Sequence, residues 1–225
     1  AGIANAIVGV ANKTANTNGT LVFGSGNEIT NSIADIATSS LSGSAFGGPS
    51  SVTAMSNNIR KLIKNSNSGG ATLAIGGGNK ADYTLRTTMI GVNNTVTGTA
   101  DAGAAENFVV GFNNIASNVT GTTIIGTNRV ATNTHNSIII GSATKETTTT
   151  ASDSVAIGNN ANVVVDKGIA LGADSIASRG VDETSGYDWS TGQASSETSS
   201  TWKPTAAAVS IGNGTTVTRR ITSLA

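Results

Sequence analysis

Histidine occurs once in this chain, at His135, and cysteine does not occur at all. A Ser-His-Asp arrangement or a multi-histidine metal site would have to use that single imidazole. It stands in "TNTHNS" (132–137), a turn-like stretch where a solvated side chain is expected rather than a catalytic one. Without cysteine there is no thiolate nucleophile, no disulfide and no thiolate metal site. The 13 acidic residues are scattered, whereas glycoside chemistry needs carboxylates clustered along one groove. "GGGN" (76–79) lacks the aspartates of calcium-binding glycine-rich repeats, and no six-residue transferase repeat is seen. "TTTT" (147–150) is one local run, not the flat rank of Thr-x-Thr of an ice-binding solenoid. These observations favour a protein that is not an enzyme and needs no cofactor or metal. A β-helical carbohydrate-active enzyme and an ice-binding solenoid stand as the alternatives.

Residues suited to binding are easier to find. Trp189, Trp202 and Tyr187 fall together within 179–208, and aromatic side chains dominate interface energetics. Arg60, Lys61 and Lys64, with Phe46 upstream, form a basic and aromatic group inside 28–70. These four are the candidate partner contacts. The whole chain is neutral, with 13 basic and 13 acidic residues among 225, so no nucleic-acid surface is expected. No apolar run reaches the roughly 18 residues of a membrane-spanning helix, so no direct membrane contact is expected. No charged and then apolar leader opens the chain, and any export signal is expected outside these residues.

The scaffold that must position these residues is a repeat. Short apolar phrases end in glycine as "AIVG" (6–9), "LVFG" (21–24), "LAIG" (73–76), "TMIG" (88–91) and "FVVG" (108–111). They continue as "TIIG" (123–126), "IIIG" (138–141), "VAIG" (155–158), "IALG" (169–172) and "VSIG" (209–212). Spacings of 14 or 15 dominate, and two long gaps read as insertions into single coils. Each unit has a weaker second half after its turn, as in "NNIAS" (113–117) and "DSIAS" (174–178). Gly and Asn tolerate the positive φ that tight turns require. Fourteen or fifteen residues make two short strands and two turns, so a flat parallel β-roll rising about 4.8 Å per coil is expected.

The phase of these strands is less obvious, because three consecutive apolar residues give no alternation. The positions immediately before the glycine and two residues earlier hold the largest side chains and are expected to fill the interior. The middle position is then expected to face outwards, as Ile7, Val22, Met89, Val109, Ile124 and Ile139. An exposed apolar stripe of this kind marks an interaction surface, and association of identical chains would bury it. These six residues are the candidate trimer interface.

The phrases resemble the YadA-like head of trimeric autotransporter adhesins, whose coils read roughly N-S-V-A-I-G-x-x-S-x-A. "DSVAIGNNANV" (153–163) and "GIALGADSIASRG" (168–180) are close matches, and "GYDWSTGQASSETSSTWKPTAAAVSIGNGTTVTRRITSLA" (186–225) looks like the family's head-insert motif followed by its neck. Arg220, Ser223 and Leu224 depart from the commonest neck residues. The resemblance implies an all-β fold, a left-handed parallel β-roll solenoid, standing side by side in a homotrimer. It also implies a surface adhesin, exposed at the outer membrane of a Gram-negative-type bacterium and contributing to virulence. Its partner would be a receptor on host cells, matrix or other bacteria.

The expected organisation is then a roll over 1–27 and 71–178, an insertion at 28–70, a head insert at 179–208, and a last coil and neck at 209–225. Within the first insertion "PSSVTAMSNNIRKLIKNS" (49–66) has helical spacing, with Val52, Met55, Ile59, Leu62 and Ile63 on one side. A projecting excursion on a rigid scaffold is where binding tends to sit.

Overall fold

A computed structural model describes residues 4–33, 52–53, 56–57, 60, 70–181 and 185–223. The described residues form an all-β structure whose strands pair in parallel except for one small hairpin. The chain divides into two compact units, Ala1–Gly121 and Thr122–Ala225.

In the first unit the glycine-ended phrases become the strands Ala6–Val10, Leu21–Ser25, Leu73–Gly77, Thr88–Val92 and Phe108–Phe112. They lie side by side as one parallel front sheet, with Gly9, Gly24, Gly76, Gly91 and Gly111 in register. The second half of each coil supplies a parallel back sheet: Lys13–Ala15, Glu28–Thr30, Lys80–Asp82, Thr95–Thr97 and Ile115–Ser117. The long gap between Gly24 and Gly76 leaves this register intact, since Leu21 pairs with Leu73 and Glu28 with Lys80. The roll therefore runs on through Glu28–Thr30, beyond the boundary expected at residue 27. Val52, Thr53, Ser56, Asn57 and Arg60 are helical. The rest of the segment expected to be helical lies outside the described residues.

The second unit repeats the design. Its front strands are Thr123–Thr127, Ile138–Ile140, Val155–Ile157, Ile169–Leu171 and Val209–Ser210. Its back strands pair as Arg129–Thr132 with Thr147–Thr149, and Asn162–Val163 with Ile176–Ala177. Tyr187–Asp188 and Gln193–Ala194 form the hairpin within the second insertion.

Glycine stands near the end of each front strand for two reasons that act together. Gly76 and Gly91 have φ of +122° and +125°, a region closed to side chains with a Cβ. A Cβ on Gly91 would also collide with the carbonyl oxygen of Gly111 in the adjoining coil. The opposite turns use left-handed asparagines, with Asn16, Asn31, Asn118 and Asn133 at φ between 51° and 55°.

The interior is the reverse of the phase expected from side-chain size. Val22, Met89, Val109, Ile124 and Ile139 are 0% exposed within the single chain, whereas Phe23 is 52% exposed. In the inner coils the front strand sends one residue inwards, facing one from the back strand: Val22 with Ile29, Met89 with Val96 and Val109 with Ala116 in their respective coils. A coil this short leaves a gap one side chain deep, so the two larger flanking residues must point out. Of the six residues expected on the surface only Ile7 is there, because its strand is the outermost of its sheet.

So thin a core needs help from hydrogen bonds. Asn12, Asn27, Asn79, Asn94 and Asn114 each sit three residues after a repeat glycine and form a ladder inside the first unit. The Nδ2 of Asn79 donates to Oδ1 of Asn27 at 3.0 Å and to the Gly91 carbonyl at 2.9 Å. Its own Oδ1 accepts from the backbone N–H and the Nδ2 of Asn94. Each rung thus joins adjacent coils and occupies backbone carbonyls that the glycine turn would otherwise leave unsatisfied. In the second unit the equivalent residue after Gly126 is Arg129, 1% exposed, with a guanidinium donating to the Ala161 carbonyl. Burial lowers its pKa to about 10, which leaves it cationic at neutral pH.

Candidate functional site

The outward positions of the front sheet form an extended apolar surface in each unit. In the first unit Leu21, Phe23, Ile75 and Phe108 are exposed. Val10, Val92 and Phe112, in register one step past the glycines, continue that surface around the turn. In the second unit Ile125, Ile138, Ile157, Leu171 and Val209 occupy the same outward columns. The triple isoleucine at 138–140 is explained by this geometry: Ile139 is core, while Ile138 and Ile140 flank it on the outer face. Parallel strands buried on both faces carry continuous apolar runs of this type. The surface expected from the middle positions thus exists, but it is built from their neighbours and is twice as wide.

The back sheet is polar by contrast. Lys13 donates to Glu28 at 2.7 Å, and that ammonium holds the Glu28 carboxyl below its ordinary range. Arg86 pairs with Glu106 at 2.9 Å across the third side of two coils, where Thr84–Leu85 pairs with Ala104–Ala105. Both pairs are exposed, so they contribute little to stability.

Of the four candidate partner contacts, Arg60 is exposed on the helical stretch and donates to Asn57 Oδ1 at 3.0 Å. Phe46, Lys61 and Lys64 lie outside the described residues. His135 is exposed in its turn, its backbone N–H bonded to Ser152 Oγ. Among the described residues no three His, Cys, Asp or Glu side chains gather where a metal ion could be held.

The second insertion separates its aromatics. Trp189 and Tyr187 are largely exposed on the hairpin, while Trp202 is half-buried against Gly186. Asp188 accepts from the Ser190 hydroxyl and backbone N–H, which hold its carboxyl below the ordinary range and brace the hairpin turn. Beyond the last coil Arg219 lies over Gly172, donating to the Ala173 carbonyl at 2.6 Å and to Ser175 Oγ at 3.0 Å. It ties the segment after Val209–Ser210 to the coil before the insertion.

Sequence reasoning missed the asparagine ladder, although Gly-x-x-Asn recurs in five coils and signals it. It also missed the outward flanking columns, which only the depth of the roll decides. Comparison with protein-family models, curated proteins and solved structures finds no match for this chain.

Proposed function

We propose that the chain is the head of a trimeric bacterial surface adhesin, a non-enzymatic attachment module of the YadA-like type. In this reading its left-handed β-rolls stand side by side in threes outside a Gram-negative-type cell and engage a receptor on host cells, matrix or other bacteria. One observation carries the proposal: the outward columns of the front sheet hold aliphatic and aromatic residues coil after coil in each unit. Such a surface calls for a partner of the same periodicity, and an identical roll has it. Trimerisation also multiplies weak receptor contacts into avidity.

The test uses the chain fused to a trimeric coiled coil, presented to epithelial cells, bacterial cells and matrix proteins. Saturable binding to one of these surfaces is expected. A companion protein in which residues 34–69 are replaced by a Gly-Asn turn locates the receptor site: binding lost with the replacement assigns it to that insertion. No binding to any surface by the intact fusion would overturn the adhesin reading.

A further inference from the structure

An Asn-Gly dipeptide is open to attack by its own backbone, because glycine puts no Cβ beside the nitrogen that would attack the asparagine side chain. The pair occurs twice, at Asn18–Gly19 and Asn213–Gly214, and the structure treats the two differently. Asn18 is buried in the first unit, its N–H donating to the Ser32 carbonyl and its own carbonyl accepting from Ala71, both at 2.9 Å. Asn213 stands just beyond the last front strand and is half-buried. Gly214 is exposed at φ of +75°, with no atom near its Cβ direction. Among the described residues its N–H has no hydrogen-bond partner.

The chain after Asn213 folds back onto that side chain. Oδ1 accepts the backbone N–H groups of Thr215 at 3.1 Å, Thr216 at 2.9 Å and Val217 at 2.9 Å. The Thr215 hydroxyl donates to the same oxygen at 3.2 Å. Nδ2 donates to Thr216 Oγ1 at 2.9 Å, and Asn213 N–H closes the loop on the Val217 carbonyl at 3.1 Å. Donors fixed on one carbonyl oxygen draw charge from its carbon and stabilise the oxyanion that forms when a nucleophile adds there. Their distances are those of an oxyanion hole, and they are in place before any reaction.

We infer that Asn213 is a self-modification site, where the fold itself promotes deamidation to aspartate. The Gly214 nitrogen bonds to Cγ of Asn213, the Cγ–Nδ2 bond breaks, and the Gly214 proton departs with Nδ2 as ammonia. Water, the one co-reactant, then opens the five-membered imide. Addition at Cγ, where the donors still converge, breaks the new C–N bond and restores the ordinary backbone with aspartate at 213. The product carboxylate inherits the same donors as charge-assisted hydrogen bonds. A negative charge is thereby placed, without an enzyme, on the segment that Arg219 ties to Ile211 and Ala173.

The experiment incubates the full chain in neutral buffer, native and in urea, and follows both Asn-Gly pairs by peptide mapping with mass spectrometry. Asn213 is expected to convert about tenfold or more faster in the native chain than in urea, since single oxyanion donors are worth that much. Asn18 should behave oppositely and convert faster in urea. Fragmentation that separates aspartate from isoaspartate should find aspartate as the main native product. Thr216→Pro deletes one of the three N–H donors and should slow native conversion about tenfold. The native and urea comparison on the unaltered chain decides the matter even where proline disturbs the loop. Asn213→Asp supplies the product marker, with which the aged chain should co-migrate on isoelectric focusing. Conversion at Asn213 no faster in the native chain than in urea, or isoaspartate as the main native product, would overturn the inference.

Discussion

At the residue scale, the glycine that ends each front strand carries two constraints that substitutions can separate. Gly91 combines φ of +125° with a Cβ direction blocked by the Gly111 carbonyl. Gly78, at φ of +63°, has nothing near its Cβ direction. Gly91→Ala is therefore expected to destabilise by about 3 kcal/mol or more, because strain and collision add. Gly78→Ala should cost only about 1 kcal/mol, the left-handed penalty alone. Thermal denaturation of the two variants compares them directly, and equal melting temperatures would show that space at the glycine column does not matter. The glycines were legible in the sequence as turn markers. Their second duty, close approach of one coil to the next, was not, because it depends on a neighbour 15 or 20 residues away in sequence.

At the scale of the elements, each coil of the first unit contributes a strand, a turn and one rung of the asparagine ladder. The repeat period, the two strands per coil and the in-register glycines follow from residue order, since glycine and asparagine are read by local conformation. The strand phase does not. Three apolar residues in a row fit either face, and choosing by size put Phe23 inside and Val22 outside, the reverse of the structure. The narrow gap between the sheets decides instead, and it is a property of the closed coil rather than of any strand. The ladder follows from that closure, because buried carbonyls at the turn need donors from within. Asn79→Ala removes the acceptor that serves Asn94 and the donor that serves Gly91, while leaving both groups buried. A loss of about 2–4 kcal/mol is expected from these unsatisfied groups. Asn79→Asp keeps one acceptor but sets a carboxylate against the Gly91 carbonyl and Asn27 Oδ1. Its folded-state pKa should be raised, so the penalty is absent below the unfolded value, near 3.9, and grows as pH rises through the folded value. Chemical denaturation at pH 4 and pH 7 checks this: the aspartate variant should approach the parent at the lower pH. A variant equally weak at both would mean that lost hydrogen bonds, and not buried charge, set its stability.

At the scale of the whole molecule, the inverted phase changes which residues would hold copies together in the proposed trimer. Val109 and its equivalents are sealed inside one chain, while Phe23 and Phe108 face outwards on the same sheet. The two kinds of position should fail differently. Phe23→Ser with Phe108→Ser removes apolar surface that the single chain never buries, so each roll should keep its cooperative unfolding. Self-association should weaken by tenfold or more, since aromatic residues at interface centres commonly contribute about 2 kcal/mol or more each. Val109→Ser places an unpartnered hydroxyl in a core one residue thick and should lower the stability of the chain itself by about 1–3 kcal/mol. Sedimentation velocity over a concentration series reads the first effect, and melting of the dilute chain reads the second. If the double phenylalanine variant associates as the parent does, the front face is not where the copies meet. The polar back sheet, with its Lys13–Glu28 pair, would then be the surface to substitute. If association is lost while the fold survives, the continuous apolar reading of each strand is explained by two burials at once: one residue inside the roll and two between rolls.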